Sequence, residues 1–168
     1  EAAKWIILLT AYTFDYDRIV EALKGAARRG IRVVVLSDRQ QSQSGMTRAM
    51  AGRLEDLASA GVVVQTTRGE YGGIQHSKTL RVDDLVLVGS TNWKGSSRSN
   101  QERDVLLELT PAGRDDWSRW TQGLYEASQV FSPKAAQVVT EAQEDRYVTA
   151  RRFSIARARR AQSAGPTT

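Results

Sequence analysis

Apolar residues in this sequence form short continuous runs that alternate with stretches of helical periodicity. The runs Trp5 to Leu9, Ile31 to Leu36 and Val62 to Val64 have the length of strands that are covered on both faces. Between these runs, apolar residues recur at helical spacing over residues 19–27 and 46–57. The alternation predicts an α/β layered sandwich with a central mixed, largely parallel sheet flanked by helices.

The second half of the sequence adds antiparallel strands and a further helix. Residues 77–82 and 85–88 are typical of two strands joined by a tight turn, which predicts a hairpin. Residues 103–109 alternate as another strand, and Pro111 begins a helix that is expected to end near residue 131. The hairpin is what makes the predicted sheet mixed.

Charge divides the chain into two parts. The net charge is +5, but residues 146–168 hold six of the 24 basic residues and no acid, so the other 18 nearly balance the 19 acids. We expect a domain over residues 1–131 and a helical basic extension with a disordered end over 132–168. The extension is a solvated helix face, a nucleic-acid contact or an attachment to anionic lipid. Its candidate nucleic-acid contacts are Arg151, Arg152, Arg157, Arg159 and Arg160.

Other features of the sequence narrow the possible classes of protein. No apolar run approaches the roughly 20 residues that cross a bilayer, so no transmembrane segment is expected. The absence of cysteine excludes disulfides and thiolate metal sites and leaves the compartment open. The chain begins at Glu1 without an initiator Met, which is typical of a processed form or of a piece of a longer chain.

Residues suited to phosphate chemistry concentrate between positions 75 and 102. His76 and Lys78 are two apart, so in a strand they would share a face and both point at one ligand. Ser90 and Asn92 follow the hairpin with the same spacing and are candidate hydrogen-bond donors to phosphate oxygens. Glu102 is a candidate partner that would fix the imidazole tautomer.

These residues form the pattern H-x-K-x4-D, followed by G-S-x-N and a downstream glutamate. The pattern resembles the signature of the phospholipase D superfamily, and the resemblance covers roughly residues 4 to 131. One departure is that five residues, not the usual six, separate Asp83 from Gly89. The choice of motif aspartate between Asp83 and Asp84 therefore stays open.

The resemblance implies a two-step hydrolysis of phosphodiesters that needs neither a metal nor a cofactor. One histidine attacks phosphorus to give a phosphohistidine, and a second histidine protonates the leaving oxygen and then activates water. By motif position, His76 would be nucleophile or acid, Lys78, Ser90 and Asn92 would bind phosphate, and Glu102 would hold the imidazole. Asp83 belongs to the catalytic motif, although its place in a hairpin turn favours a structural role.

His76 is the only histidine, whereas the implied mechanism uses two. The second comes either from an identical chain in a homodimer that shares one active site, or from an upstream part of a longer protein. Nucleic acid is the first expected substrate, because small members of the superfamily resemble nucleases. A phospholipase D or cardiolipin-type lipid hydrolase is the alternative enzyme. A non-catalytic nucleic-acid binder that uses the arginine-rich extension is the alternative class.

Overall fold

A computed structural model describes residues 3–43, 48–69 and 73–132 of the 168-residue chain. The described strands are Ile6–Ala11 (β1), Arg32–Asp38 (β2), Val63–Thr67 (β3), Thr79–Val82 (β4), Leu85–Gly89 (β5), Asp104–Glu108 (β6) and Gln129–Val130 (β7). The described α-helices are Asp17–Arg28 (α1), Arg39–Gln43 (α2), Arg48–Ser59 (α3) and Pro111–Glu126 (α4). A 3-10 helix spans Gly95–Ser99. The predicted basic extension and its arginines lie outside the described residues.

The strands form one mixed sheet in the order β6-β5-β4-β1-β2-β3-β7. Strand β2 lies between β1 and β3 and pairs with both in parallel. The other four pairs are antiparallel. The α/β fold with a mixed sheet is therefore confirmed, but its antiparallel share is larger than the sequence indicates. The reason is that the β4–β5 hairpin joins β1 on one side, while β7, too short to predict, returns along β3 on the other.

Helices cover both faces of the sheet. On one face, Leu9 of β1 packs in a core with Leu23 of α1 and Leu54 of α3, and all three are almost completely buried. On the other face, Leu36 belongs to a smaller core against which Leu124 of α4 packs. The three-layer arrangement leaves the ends of the central strands open for a site.

Strand β6 forms an edge of this sheet and is exposed along its whole length. Its central residues Val105, Leu106 and Leu107 are 55%, 64% and 43% exposed, although all three are apolar. An apolar strand at an uncovered edge presents both side chains and unpaired backbone groups to its surroundings.

Local residues mark the ends of the helices. Gly30 and Gly61, which follow α1 and α3, have φ values of +83° and +86°, a left-handed conformation that favours glycine. The N-cap of α1 is Tyr16, which makes no side-chain cap hydrogen bond. The neighbouring Asp15 carboxylate accepts a hydrogen bond from the Gly95 amide at 3.1 Å. Helix α4 ends at Glu126, about five residues before the expected end. None of the helices within the described ranges is long and apolar enough to cross a bilayer.

Asp83 fastens the hairpin to the start of the central strand. It occupies the turn between β4 and β5 with a φ of 53°, which aspartate tolerates better than most residues. Its carboxylate accepts the backbone amides of Lys4, Trp5 and Ile6 at 2.8, 3.1 and 3.1 Å. Partial burial opposes ionisation, but these three donors outweigh it and hold the pKa of Asp83 below its ordinary value. Asp83 is therefore part of the scaffold.

We expect Asp83→Asn to lower the free energy of unfolding by about 1 kcal/mol at neutral pH, since an amide cannot accept all three amides as a carboxylate does. The depressed pKa places this stabilisation above the ordinary pKa of aspartate and removes it as the pH falls through the folded-state value. Urea unfolding of both proteins from neutral to acidic pH should therefore show a difference that shrinks in acid.

Asp84→Asn is the matched control at the neighbouring position. Asp84 forms one ion pair with Arg114 at 3.2 Å, and both side chains are more than a third exposed. Its substitution should cost less than about 1 kcal/mol. A larger loss of stability from Asp84→Asn than from Asp83→Asn would contradict the proposed role of Asp83 in stabilising the fold.

Candidate active site

His76 and Lys78 lie in an irregular segment that leads into β4. Because β4 begins at Thr79 and not at Ser77, the two residues do not share the face of a strand as the sequence predicts. Thr79 pairs with Thr10 near the carboxyl end of β1, so the segment lies at the end of the parallel strands. His76 is exposed and Lys78 is buried, and the Lys78 ammonium donates to the His76 carbonyl oxygen at 2.5 Å. The two residues are brought together by this contact.

Thr10, in the central strand β1, holds the segment that contains His76 and Lys78 by hydrogen bonds. Its side chain is completely buried, and its Oγ1 accepts the Thr79 amide at 3.0 Å and the Ser77 hydroxyl at 3.1 Å. Its hydroxyl also shares a hydrogen bond of 2.8 Å with that of Thr79. These contacts fix the residues on either side of Lys78 to the central strand.

A second anchor holds the segment on its other side. Asp38, completely buried at the end of β2, accepts the Gln75 amide at 2.9 Å through Oδ2. Its Oδ1 accepts the Gln41 amide at 2.9 Å. The Gln75 side chain then accepts a hydrogen bond from the Ser77 amide at 2.6 Å, so the chain on both sides of His76 is held by buried or partly buried hydrogen bonds.

The Gly-Ser-x-Asn segment is attached to the same strand end. The Trp93 indole N–H donates to the Thr10 carbonyl at 2.8 Å in the interior. Gly89 is required where this segment begins, since a Cβ there would lie 2.5 Å from the Arg103 carbonyl oxygen. Asn92 carries a buried side-chain oxygen that has no hydrogen-bond partner in the part of the chain described. The fold does not account for this oxygen, which can accept a hydrogen bond from a ligand donor.

Ser90 and Glu102 form the polar wall of the site. The Ser90 hydroxyl donates to one Glu102 oxygen at 2.5 Å, and the Asn100 amide donates to the other at 2.9 Å. These two hydrogen bonds, the Ser90 bond first, hold the pKa of Glu102 below its ordinary value. Burial lowers the pKa of Lys78, and the Glu102 charge partly offsets that effect. Glu102 is thus an ionised partner that favours the protonated form of Lys78.

The His76 ring has an aromatic neighbour. Its centroid lies 4.6 Å from that of Tyr12 in an edge-to-face arrangement. No hydrogen bond or ion pair of the imidazole is formed within residues 3–43, 48–69 and 73–132, and Glu102 is engaged with Ser90 and Asn100 instead. The role of Glu102 as imidazole partner stays a prediction.

The structure separates Asp83 from these residues. Asp83 follows the last residue of β4 and His76 precedes the first, so the strand itself places roughly 13 Å between them. Sequence reasoning also missed Thr10, Tyr12 and Asp38 as parts of the site. The available signal was their position, since each is a polar or amphipathic residue at the end of an apolar strand.

The arrangement can bind an anion and attack it. An exposed imidazole is a nucleophile and a proton carrier, and the Lys78 ammonium can bind phosphate oxygens. No group of three or more His, Asp or Glu side chains suited to a metal ion occurs among the residues described.

A family model and a curated relative both match this chain, and both are described as cardiolipin synthases. The family described as "Cardiolipin synthase, PLD-like domain" matches residues 1–115. Cardiolipin synthase A of Salmonella arizonae is 30% identical over 116 residues, which are 68% of this chain. The chain spans about a quarter of the length of this relative, because the match covers 23% of it.

Two solved structures match over most of their length. Nuc from Salmonella typhimurium, described as a phospholipase D family member, superposes with a TM-score of 0.69 at 26% identity. NucT from Helicobacter pylori superposes with a TM-score of 0.64, also at 26% identity. In both cases the match covers 77% of this chain and 84% of the other.

Ser90→Ala should raise the pKa of Glu102 toward its ordinary value, because it removes the hydrogen bond that lowers this pKa most. The measurement is a pH titration of the Glu102 carboxyl carbon by NMR. Thr91→Ala is the matched control, since the Thr91 hydroxyl donates to Asp104. An unchanged pKa of Glu102 in Ser90→Ala would rule out the contact between these two side chains in solution.

Proposed function

Since this chain belongs to the phospholipase D superfamily of phosphodiesterases, we propose that it is a nuclease that hydrolyses phosphodiester bonds through a phosphohistidine, without a metal. The observation that carries the proposal is that the exposed His76 imidazole and the buried Lys78 ammonium lie against one ring, that of Tyr12, at the end of the central strands. A nucleophile with a fixed cation at its side is what attack on an anionic phosphodiester requires.

In the first step, an imidazole nitrogen of His76 forms a bond to phosphorus and the bond to the leaving oxygen breaks. A second imidazole in its protonated form gives its proton to that oxygen. Charge builds up on the remaining phosphoryl oxygens, where the Lys78 ammonium and the N–H groups of the Asn92 side chain stabilise it. The Ser90 hydroxyl, which donates to Glu102 in the free chain, would have to turn from Glu102 to the phosphate to join them. The products are a phosphohistidine and an alcohol.

In the second step, the neutral second imidazole accepts a proton from water. The water oxygen forms a bond to phosphorus while the bond to His76 breaks, and its electron pair returns to the His76 ring. The enzyme is restored, with the second imidazole protonated again. The two steps require two imidazoles in different protonation states at the same time.

The second imidazole is proposed to be His76 of an identical chain. The full sequence holds one histidine, and a two-fold axis through the site would place the same residue on the opposite side of the phosphate. The exposure of His76 in the single chain supports this arrangement, because a shared site must lie at the surface of each copy. The alternative source is an upstream part of a longer protein.

Nucleic acid is the substrate class we propose. The match to Nuc and NucT extends over 84% of each of those chains, whereas the match to cardiolipin synthase A extends over 23% of it. The arginines of residues 146–168 would neutralise phosphates along a nucleic-acid backbone. The second candidate is a phospholipid hydrolase, which the cardiolipin synthase family match supports. A nucleic-acid binder without activity is the remaining alternative.

We expect cleavage of labelled single-stranded DNA, double-stranded DNA or RNA in EDTA, and a loss of roughly a thousandfold or more in His76→Ala. A fluorescent phospholipid is assayed in parallel, and thermal unfolding establishes that His76→Ala is folded. Cleavage of the lipid alone would favour the second candidate. A strict requirement for magnesium would contradict the histidine mechanism.

A mixing experiment tests the shared site. Wild type and His76→Ala are denatured together in equal amounts and refolded, so that the two chains assort at random. If each site needs two intact chains, about one quarter of the wild-type activity should remain, because one dimer in four is fully wild type. A remainder of one half would mean that each chain works alone and would contradict the homodimer proposal. Refolded wild type alone is the control for recovery.

A further inference from the structure

We propose that Tyr12 is a positioning residue that sets the direction of the His76 imidazole, an inference that rests on the proposed phosphodiesterase reaction. Tyr12 follows the last residue of β1 and is half buried beside the site. Neither the motif nor the proposed chemistry assigns it a role.

The Tyr12 ring contacts both working groups of the site. The His76 and Tyr12 ring planes meet at 61° with their centroids 4.6 Å apart, a favourable geometry for an aromatic pair. The Lys78 ammonium lies over the same ring, 5.2 Å from its centroid, where the negative face of the ring attracts it. One side chain therefore fixes the imidazole and the ammonium relative to each other.

Tyr12 is itself held by a closed set of contacts. Its hydroxyl accepts a hydrogen bond from the Gln41 amide at 3.2 Å. The Gln41 backbone amide donates to Asp38, and Asp38 accepts the Gln75 amide immediately before His76. The contacts thus lead from Tyr12 through α2 and the end of β2 back to His76. Turning the ring would break its partly buried hydrogen bond with Gln41.

The imidazole depends on this ring because its own polar atoms are not held by the described part of the chain. Attack on phosphorus needs the nucleophilic nitrogen aligned with the bond that breaks, and small misplacements slow such reactions. An exposed histidine without a neighbour would sample several rotamers. The edge-to-face contact with Tyr12 restricts these rotamers before substrate arrives.

The test compares Tyr12→Leu, which removes the ring, with Tyr12→Phe, which keeps the ring and removes only the hydroxyl. We expect Tyr12→Leu to lower kcat about tenfold with KM unchanged, the fold-change that an aromatic pair can support. Tyr12→Phe should stay within about threefold of wild type, because the aromatic contact remains. Tyr16→Leu is the matched control, a tyrosine of the same loop that belongs to no part of the proposed machinery.

A second readout does not depend on turnover. His76 is the only histidine, so its imidazole gives a single set of signals in a proton–carbon NMR spectrum. The Tyr12 ring current should displace these signals from those of a free histidine. The displacement should vanish in Tyr12→Leu and persist in Tyr12→Phe and Tyr16→Leu.

The outcomes separate this inference from the proposed function. If wild type cleaves no phosphodiester but the His76 signals move only in Tyr12→Leu, the function fails and the positioning role stands. If Tyr12→Leu changes neither kcat nor the His76 signals, the positioning role is overturned. It is also overturned if Tyr12→Phe loses as much kcat as Tyr12→Leu, since the ring would then not be the active element.

Discussion

Thr10 is the point on which both halves of the candidate site depend. Its hydroxyl accepts from Ser77 and Thr79, beside His76, and its carbonyl accepts from the Trp93 indole, beside the Gly-Ser-x-Asn segment. All of these groups are buried or partly buried, and an unsatisfied buried polar group is costly. The two segments, far apart along the chain, therefore cannot shift relative to each other without breaking these hydrogen bonds.

Burial and hydrogen bonds shift the pKa values of the charged groups in the site more than ion pairs do. Lys78 is buried, which lowers its pKa, and Glu102 opposes that effect from a position where Ser90 and Asn100 keep it ionised. A buried ammonium is poorly hydrated, so little water has to be displaced when a phosphate binds. The site thus holds a poorly hydrated ammonium, that of Lys78, near the exposed imidazole of His76.

The sequence predicts the secondary-structure elements better than the contacts between them. The buried strands and the hairpin follow from apolar runs and turn residues, which are local signals. Strand β7 was not predictable, because two residues that pair with a distant strand carry no periodicity. The motif located His76, Lys78, Ser90 and Glu102, whereas the contacts of Tyr12 and Asp38 arise only when separate strand ends come together.

The apolar edge strand β6 carries its own protection against self-association. Val105, Leu106 and Leu107 are flanked by Asp104 and Glu108. If two copies paired edge to edge in antiparallel register centred on Leu106, each Asp104 would lie opposite a Glu108, and like charges directly opposite each other are unfavourable. The strand thus disfavours this edge-to-edge pairing of identical chains, although its central side chains are apolar.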